Sequence, residues 1–155
     1  MRRKGGILRV ARRPARVHKY RARPCWVDVR QLPWSLTPHE AVVRETHGDT
    51  KAAIALGESR GWELCASTAE ATRYRELLVL QYEGKISSLS AQPRYELAAK
   101  SGGRVGFYVA DFVYKDALGE TVIEDVKGFK TALYAWKKRH MKAQYGIEIH
   151  EVTRR

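Results

Sequence analysis

The chain of 155 residues is long enough for one domain, and its 44% hydrophobic and 30% charged residues exclude a fully disordered protein. No stretch approaches the roughly 20 apolar residues of a membrane span, and the apolar run near the start is too short for a secretory signal. The formal net charge is +12, and ten of the 29 Lys and Arg lie in residues 1–23, which contain no Asp or Glu. We expect a globular protein without a membrane segment and with a basic N-terminal arm.

The basic arm, residues 1–23, is predicted to contact nucleic acid. Its cations can release the counterions of a phosphate backbone, which makes binding depend on salt and not on base sequence. Two alternatives stay open: a solvated tail and an organelle-targeting segment, which is also rich in Arg and free of acids. The candidate DNA contacts in the arm are Arg12, Arg13, Arg16 and Lys19.

Residues 24–66 are predicted to form an N-terminal extension with short helices. Thr37 followed by Glu40 indicates a helix start, and residues 50–59 have the apolar spacing of a second helix that closes near Gly61. Nothing in this segment points to a chemical role.

The two cysteines are most simply interpreted as reduced structural thiols of a cytosolic protein. Cys25 and Cys65 lie forty residues apart and form no Cys-x-x-Cys pair. A zinc site that adds His39 and His47 is conceivable, but the spacing matches no common zinc site.

The clearest helix covers residues 67–83 and opens the third predicted unit, residues 67–155. Ser67 followed by Glu70 forms a capping box, and Gly84 marks the end of the helix. The apolar residues recur at helical spacing and predict a buried face at Ala71 and Tyr74. Local sequence favours a capping role for Glu70 over a role in a functional site.

A strand is predicted over residues 86–97, with an edge or a bend at Gln92–Pro93, because proline cannot donate a hydrogen bond to a central ladder. Gln92 and Arg94 are candidate contacts to a nearby site or to phosphates. An ordinary surface role is the equal alternative.

Residues 111–127 predict an antiparallel hairpin. Its short loop contains Ala-Leu-Gly, and Gly119 suits the left-handed position of a three-residue loop. Simple pairing across this loop sets Tyr114 opposite Val122, although a bulge at the glycine would shift the register by one residue.

The same pairing sets Asp111 opposite Asp125 on one face of the sheet. At about 5 Å and an effective dielectric near 20, the two carboxylates repel by roughly 3 kcal/mol, and opposed like charges destabilise a sheet. A divalent cation would reverse the repulsion, because hard cations take oxygen ligands. Lys127 follows on the same face, where it could steady a developing negative charge. The alternative is a solvated hairpin face with ordinary charges.

A second long helix is predicted over residues 131–145, and residues 147–152 alternate like a last strand. The predicted core side of this helix holds Leu133, Trp136, His140 and Met141 or Ala143. Its basic residues are candidate contacts to a DNA backbone, with a solvated face as the alternative; they include Lys130, Lys138 and Lys142.

Asp111 followed by Asp125-Val126-Lys127 resembles the signature of the PD-(D/E)xK nuclease superfamily. Five segments also resemble, in order, a family of uncharacterised phage proteins placed in that superfamily; they are residues 67–77, 89–97, 108–112, 122–128 and 142–147. The resemblance implies an α/β, restriction-endonuclease-like core: a helix, a three-stranded β-meander, a helix and a strand, with a mixed sheet flanked by helices.

The resemblance also implies a site and a cofactor. Asp111, Asp125, the Val126 carbonyl and Glu70 would hold Mg²⁺ or Mn²⁺, and Lys127 would activate water or steady the transition state. Arg73, three residues after Glu70, also matches the resembled family and is a further candidate contact to the phosphates of the DNA.

The expected activity is therefore hydrolysis of DNA phosphodiester bonds, first of all in branched DNA such as Holliday junctions. Such an enzyme would act as a homodimer, because two strands must be cut symmetrically, and it would work in the cytoplasm of an infected bacterial host. Two alternatives remain: another restriction-like or end-processing nuclease, and a non-catalytic DNA-binding accessory protein of recombination.

Overall fold

The structure is a computed structural model that describes residues 22–127 and 130–153. Its N-terminal part comprises β1 (Cys25–Asp28), β2 (Leu36–Pro38), α1 (His39–Glu45), α2 (Thr50–Ser59) and β3 (Trp62–Cys65). The three strands form an antiparallel sheet in the order β2-β1-β3. The helix predicted over residues 50–59 is confirmed as α2, whose N-cap Asp49 accepts two backbone N–H groups. The sequence pattern does not predict β3.

The rest of the described chain is also mixed α and β. Its elements are α3 (Thr68–Tyr82), β4 (Ser87–Ala91), β5 (Arg94–Ala98), β6 (Arg104–Val109), β7 (Phe112–Lys115), β8 (Thr121–Val126), α4 (Ala132–Tyr145) and β9 (Ile149–Val152). One sheet has the order β4-β7-β8-β9, in which β9 runs parallel to β8 and the other neighbours are antiparallel. The expected α/β class with a mixed sheet is confirmed.

The strand predicted over residues 86–97 is two strands, because the chain bends at Gln92–Pro93. Gln92 has φ +52°, and Pro93 has no N–H to give to a partner strand. β4 pairs with β7, whereas β5 leaves this sheet and pairs with β6 as a two-stranded ribbon. Two backbone hydrogen bonds cross the bend, from Gln92 N–H to Asp111 O (2.9 Å) and from Ala110 N–H to Pro93 O (3.1 Å). The bend therefore lies directly beside Asp111.

Helix α3 packs its predicted face on the sheet. Ala71, Tyr74 and Leu77 are buried, and Tyr74 stacks on Phe112 of β7 with ring centroids 5.3 Å apart. A second cluster joins Leu97, Tyr108, Ile123, Met141 and Ile149 from the ribbon, the sheet and α4. These two clusters hold the helices against the strands that carry the acids.

The core side predicted for α4 is wrong in part. Leu133 is 62% exposed and Trp136 38% exposed, whereas Tyr134 and Met141 are buried. Residues seven apart occupy the same side of a helix after two turns, so the buried stripe runs one position away from the expected one. In the described ranges, no helix combines the length and the apolar composition that a membrane crossing needs.

Candidate active site

The predicted hairpin register is confirmed, and it brings the two aspartates together. Tyr114 pairs with Val122, and Gly119 has φ +80° in the loop. Asp111 N–H donates to Glu124 O (3.2 Å), which continues the ladder to the end of β8. Asp111 thus lies beside Asp125, at the point where β6 ends and β7 begins.

The Asp111 carboxylate is held at the end of β8. Val126 N–H donates to Asp111 Oδ2 at 2.6 Å. Burial raises the pKa of Asp111, and its hydrogen-bonding contact with Asp125 and the charge of Asp125 raise that pKa further. Asp111 therefore holds a proton more readily than an isolated carboxyl group would, and a cation could take the place of that proton.

Asp125 is fully buried but incompletely hydrogen-bonded. Tyr108 Oη donates to Asp125 Oδ2 at 2.8 Å, and Lys127 Nζ forms an ion pair with Oδ1. Among the described residues, Oδ1 accepts no hydrogen bond of good geometry. Tyr108 is a site residue that the sequence pattern does not reveal, because it comes from β6, a strand outside the sheet that carries Asp125.

Lys127 is placed where the sequence predicts, directly against Asp125. Its ammonium also lies 4.7 Å from the centre of the Tyr134 ring, and its backbone N–H donates to Val152 O of β9 (3.0 Å). The side chain is one quarter exposed, so its charge can reach an incoming anion. A shallow pocket of about 260 Å³ opens here and is lined by Asp125, Lys127 and Lys137 among others.

Glu70 caps the start of α3, as the local sequence predicts, and its role as a metal ligand stays a prediction. Ser67 Oγ donates to Oε1 and Ala66 N–H donates to Oε2, both at 3.1 Å. Burial raises the pKa of Glu70, although these hydrogen bonds oppose the effect. Glu70 and Asp111 line the same cleft of about 300 Å³, to which Trp62 of β3 also contributes.

The donor set fits a divalent cation through two carboxylates. Asp111 and Asp125 supply adjacent hard oxygens. The Asp125 Oδ1 atom accepts no well-formed hydrogen bond among the described residues, and it would be free to bind a cation once the ammonium of Lys127 moved away from it. In the described part of the chain, no three His, Cys, Asp or Glu side chains are already arranged around a metal position. Glu70 could join as a ligand if its cap hydrogen bonds opened; the Val126 carbonyl stays a predicted ligand.

On the opposite side of β8, Glu124 forms a buried ion pair that the sequence pattern does not predict. Arg73 donates to both of its oxygens, at 2.9 and 2.7 Å, and Tyr114 Oη donates at 2.6 Å. Arg73 also pairs with Glu76 at 3.1 Å. The phosphate contact expected of Arg73 stays a prediction, and its guanidinium is occupied by acids in this structure.

The three lysines predicted to contact DNA at and just before the last helix are also paired with acids. Lys130 forms an ion pair with Glu151, Lys138 Nζ lies 2.8 Å from Glu151, and Lys142 lies 3.5 Å from Glu148. These partners reduce the charge that each lysine offers to DNA, and the predicted phosphate contacts of all three remain predictions.

Other predicted DNA contacts fall into three places. Gln92 lines the cleft beside Asp111. Arg94 lies over the Phe107 ring, outside the cleft. Arg12, Arg13, Arg16 and Lys19 lie outside the described residues.

The conceivable zinc set is not assembled. His39 Nδ1 accepts from Trp26 Nε1 at 3.0 Å, and the two cysteines face each other across β1 and β3 as free thiols. Burial raises the pKa of Cys65 to about 12, which keeps this thiol protonated at neutral pH. Both cysteines are buried, as structural thiols are.

Comparison with known proteins gives one match. No curated protein and no solved structure matches the chain. Residues 62–154, which extend from β3 through β9, match the family model described as "Protein of unknown function (DUF1064)". Because the match covers more than half of the chain, the protein belongs to this family.

Proposed function

We propose that the protein is a divalent-metal-dependent endonuclease that hydrolyses DNA phosphodiester bonds. The observation that carries the proposal is the meeting of Asp111 and Asp125 at the end of β8, with Lys127 directly against Asp125. One buried and one partly buried carboxylate and one accessible ammonium supply ligands for a cation and a positive charge for the reacting phosphate.

Each residue then has a role that follows from its surroundings. Asp111 and Asp125 would hold Mg²⁺ or Mn²⁺, and the Val126 carbonyl and Glu70 are the candidates to complete its ligands. When bound, the cation would polarise the phosphate and lower the pKa of a coordinated water. Lys127 would orient the attacking water or stabilise the charge that develops on the phosphate.

The substrate class follows from the basic arm and from the resemblance to the nuclease superfamily. Ten cations without an acid in residues 1–23 favour a polyanion. Branched DNA is the first candidate among DNA structures, and a homodimer would supply the two cuts that a four-way junction needs. Restriction-like or end-processing cleavage would use the same chemistry.

A second candidate is a DNA-binding accessory protein of recombination that does not cut. Two observations favour it: the Glu70 oxygens are hydrogen-bonded in the helix cap, and the described residues contain no ready group of three metal-ligating side chains. This candidate keeps the fold and the DNA contact but has no catalytic step.

One experiment separates these possibilities. A labelled four-way junction, a linear duplex and a single strand are each incubated with Mg²⁺, with Mn²⁺ and with chelator, and Asp125→Asn runs alongside. Metal-dependent paired nicks in the junction by the unaltered protein alone support the proposed enzyme and its branched substrate. Equal cutting of all three DNAs keeps the chemistry and rejects the junction preference. Binding without cutting under every condition supports the accessory protein.

A further inference from the structure

The outer face of the β5–β6 ribbon carries two arginines over one aromatic ring. The Arg94 Cζ atom lies 3.4 Å from the centroid of Phe107, and the Arg104 Cζ atom lies 4.8 Å from it. Both arginines are exposed. Val105 and Val109, which share this side of β6 with Phe107, are each 49% exposed. The face is thus solvent-accessible, partly apolar and basic.

These arginines differ from the other predicted DNA contacts in their partners. Arg73, Lys130, Lys138 and Lys142 each have a carboxylate within ion-pair distance. Among the ion pairs of residues 22–127 and 130–153, none involves Arg94 or Arg104. The acid on the same side is Glu96, opposite Phe107 in the register, and it forms none of these pairs either.

A guanidinium that lies on a ring is ready to bind an anion. The stacking uses the flat surface of the group, while its N–H donors point outward in the plane. Those donors match the oxygens of a phosphate in geometry and in charge. Because the ring already restricts the side chain, less rotamer freedom is lost when the anion binds.

The ribbon face continues to the candidate active site. Arg94 is the direct cross-strand partner of Val109, and Val109 lines the pocket that also contains Asp125, Lys127 and Lys137. A polyanion lying along Arg104 and Arg94 would therefore extend past Val109 to the pocket that contains Lys127.

We propose that this ribbon face, formed by Arg94, Arg104 and Phe107, binds the sugar-phosphate backbone of the DNA next to the point of cleavage. The inference rests on the proposed function, since it names the surface that presents the DNA to that site. The competing occupant of a half-apolar strand face is a second copy of the chain. The two guanidiniums, which form no ion pair with the described residues, favour a polyanion, because a second copy would bring the same positive charges against them.

The test is a salt titration of DNA binding. The full chain and the double variant Arg94→Gln/Arg104→Gln are compared by fluorescence anisotropy on a labelled junction and duplex, with chelator present so that no cutting occurs. We expect about tenfold weaker binding at moderate salt and a slope of log K against log salt that is smaller by about 2, since each phosphate contact contributes about 0.9. The N-terminal arm is present in every variant and contributes equally.

The matched control is Arg60→Gln. Arg60 also stacks on an aromatic ring, at 4.9 Å from Trp62, but it pairs with Glu45 at 2.7 Å. Its removal should leave both the affinity and the slope unchanged. The variant Arg94→Lys/Arg104→Lys keeps the charges but loses the planar donors, so it should retain the salt slope and bind DNA more weakly. It replaces the glutamine variant in the test if that variant folds poorly.

The possible results are distinct. Unchanged affinity and slope in the double variant would overturn the inference, and a loss of self-association in sedimentation together with unchanged DNA binding would assign the face to a second copy. Asp125→Asn should bind DNA as the unaltered protein does. If the double variant binds normally while Asp125→Asn fails to cut, the ribbon inference falls and the proposed function stands. If the double variant loses binding while the unaltered protein never cuts, the ribbon face binds DNA and the proposed nuclease function falls.

Discussion

Two adjacent acids on β8 occupy opposite sides of the sheet and have unequal partners. Glu124 is 4% exposed and Asp125 is fully buried, and they are the two buried charged residues of the described chain. Glu124 accepts two hydrogen bonds from the guanidinium of Arg73 and one from the hydroxyl of Tyr114. Asp125 receives the hydroxyl of Tyr108 and the ammonium of Lys127, but it also faces a second carboxyl, that of Asp111.

Under the proposed function, this difference separates an acid that stabilises the fold from an acid that would bind the metal. A buried charge is tolerated when a counter-charge and hydrogen bonds satisfy its oxygens, and Glu124 meets both conditions. Asp125 meets them only in part, because the neighbouring carboxyl repels it. The fold therefore keeps an unfavourable contact on one side of β8 that a cation would relieve, and none on the other.

Replacing Asp125 should have the largest effect, and on catalysis alone. Asp125→Asn removes a ligand charge, so the rate of metal-dependent cleavage should fall about 10³-fold. The free energy of unfolding should change by less than about 1 kcal/mol, because the repulsion with Asp111 disappears and Lys127 can turn to solvent. Single-turnover cleavage and urea unfolding measure the two quantities.

Glu124→Gln, a substitution of the neighbouring residue, should have the opposite effects on cleavage and on stability. Its folded fraction should cleave at nearly the rate of the unaltered protein, while the protein unfolds at lower urea. Loss of cleavage in both variants would erase the distinction between the two sides of β8.

Replacing Arg73, the counter-charge of Glu124, should lower the free energy of unfolding. Arg73→Met leaves the Glu124 charge buried without a counter-charge, and we expect the free energy of unfolding to fall by about 3 kcal/mol. Arg75→Met, on the exposed side of the same helix, should change it by less than about 0.5 kcal/mol.

The same variant tests the phosphate contact predicted for Arg73. If the arginine holds only Glu124 and Glu76, the salt slope of DNA binding stays unchanged in folded Arg73→Met. A smaller slope would mean that the guanidinium leaves its acids for the substrate.

The two tyrosines allow a smaller and closely matched comparison. Tyr108→Phe and Tyr114→Phe each remove one hydrogen bond to a buried carboxylate, and each should lower the free energy of unfolding by about 1 kcal/mol. Only Tyr108→Phe should also slow cleavage, by about tenfold, since Tyr108 orients an acid that would hold the metal. Equal cleavage by the two variants would contradict a positioning role for Tyr108.

Sequence reasoning succeeds here where the interactions are local. The alternation of residues 111–127 and the glycine in the loop predict the register that brings Asp111 to Asp125, since hairpin pairing is decided by its turn. The capping box predicts the contact between Ser67 and Glu70 for the same reason.

It fails where a partner comes from a distant part of the chain. Nothing in the sequence near Arg73 indicates that its guanidinium donates two hydrogen bonds to Glu124, which lies fifty-one positions away. Likewise, the basic side of α4 has the pattern of a DNA-binding helix, yet Lys130 and Lys138 meet Glu151 on β9. Periodicity describes which side of an element is polar, but it does not say which charge lies opposite.

A third carboxylate of the sheet provides the smallest and most specific test of the comparison. Glu151 lies beside Asp125 in the parallel register, and hydrogen bonds from Lys130, Lys138 and Tyr134 lower its pKa from 4.5 to about 2. It is well partnered, as Glu124 is, so it should act as a structural acid. An acid with a lowered pKa stabilises the folded state above its unfolded pKa, and that contribution is lost as the pH falls through the folded value.

Glu151→Gln should therefore lower the Tm by about 3 °C at pH 6, which corresponds to about 1 kcal/mol in a chain of this size. The difference from the unaltered protein should shrink between pH 5 and pH 2, because protonation then removes the same charge from both. Glu148→Gln, which removes an exposed acid 3.5 Å from Lys142, should show little difference at any pH. A Tm difference for Glu151→Gln that is as large at pH 2 as at pH 6 would mean that the glutamate stabilises the sheet through packing and not through its charge.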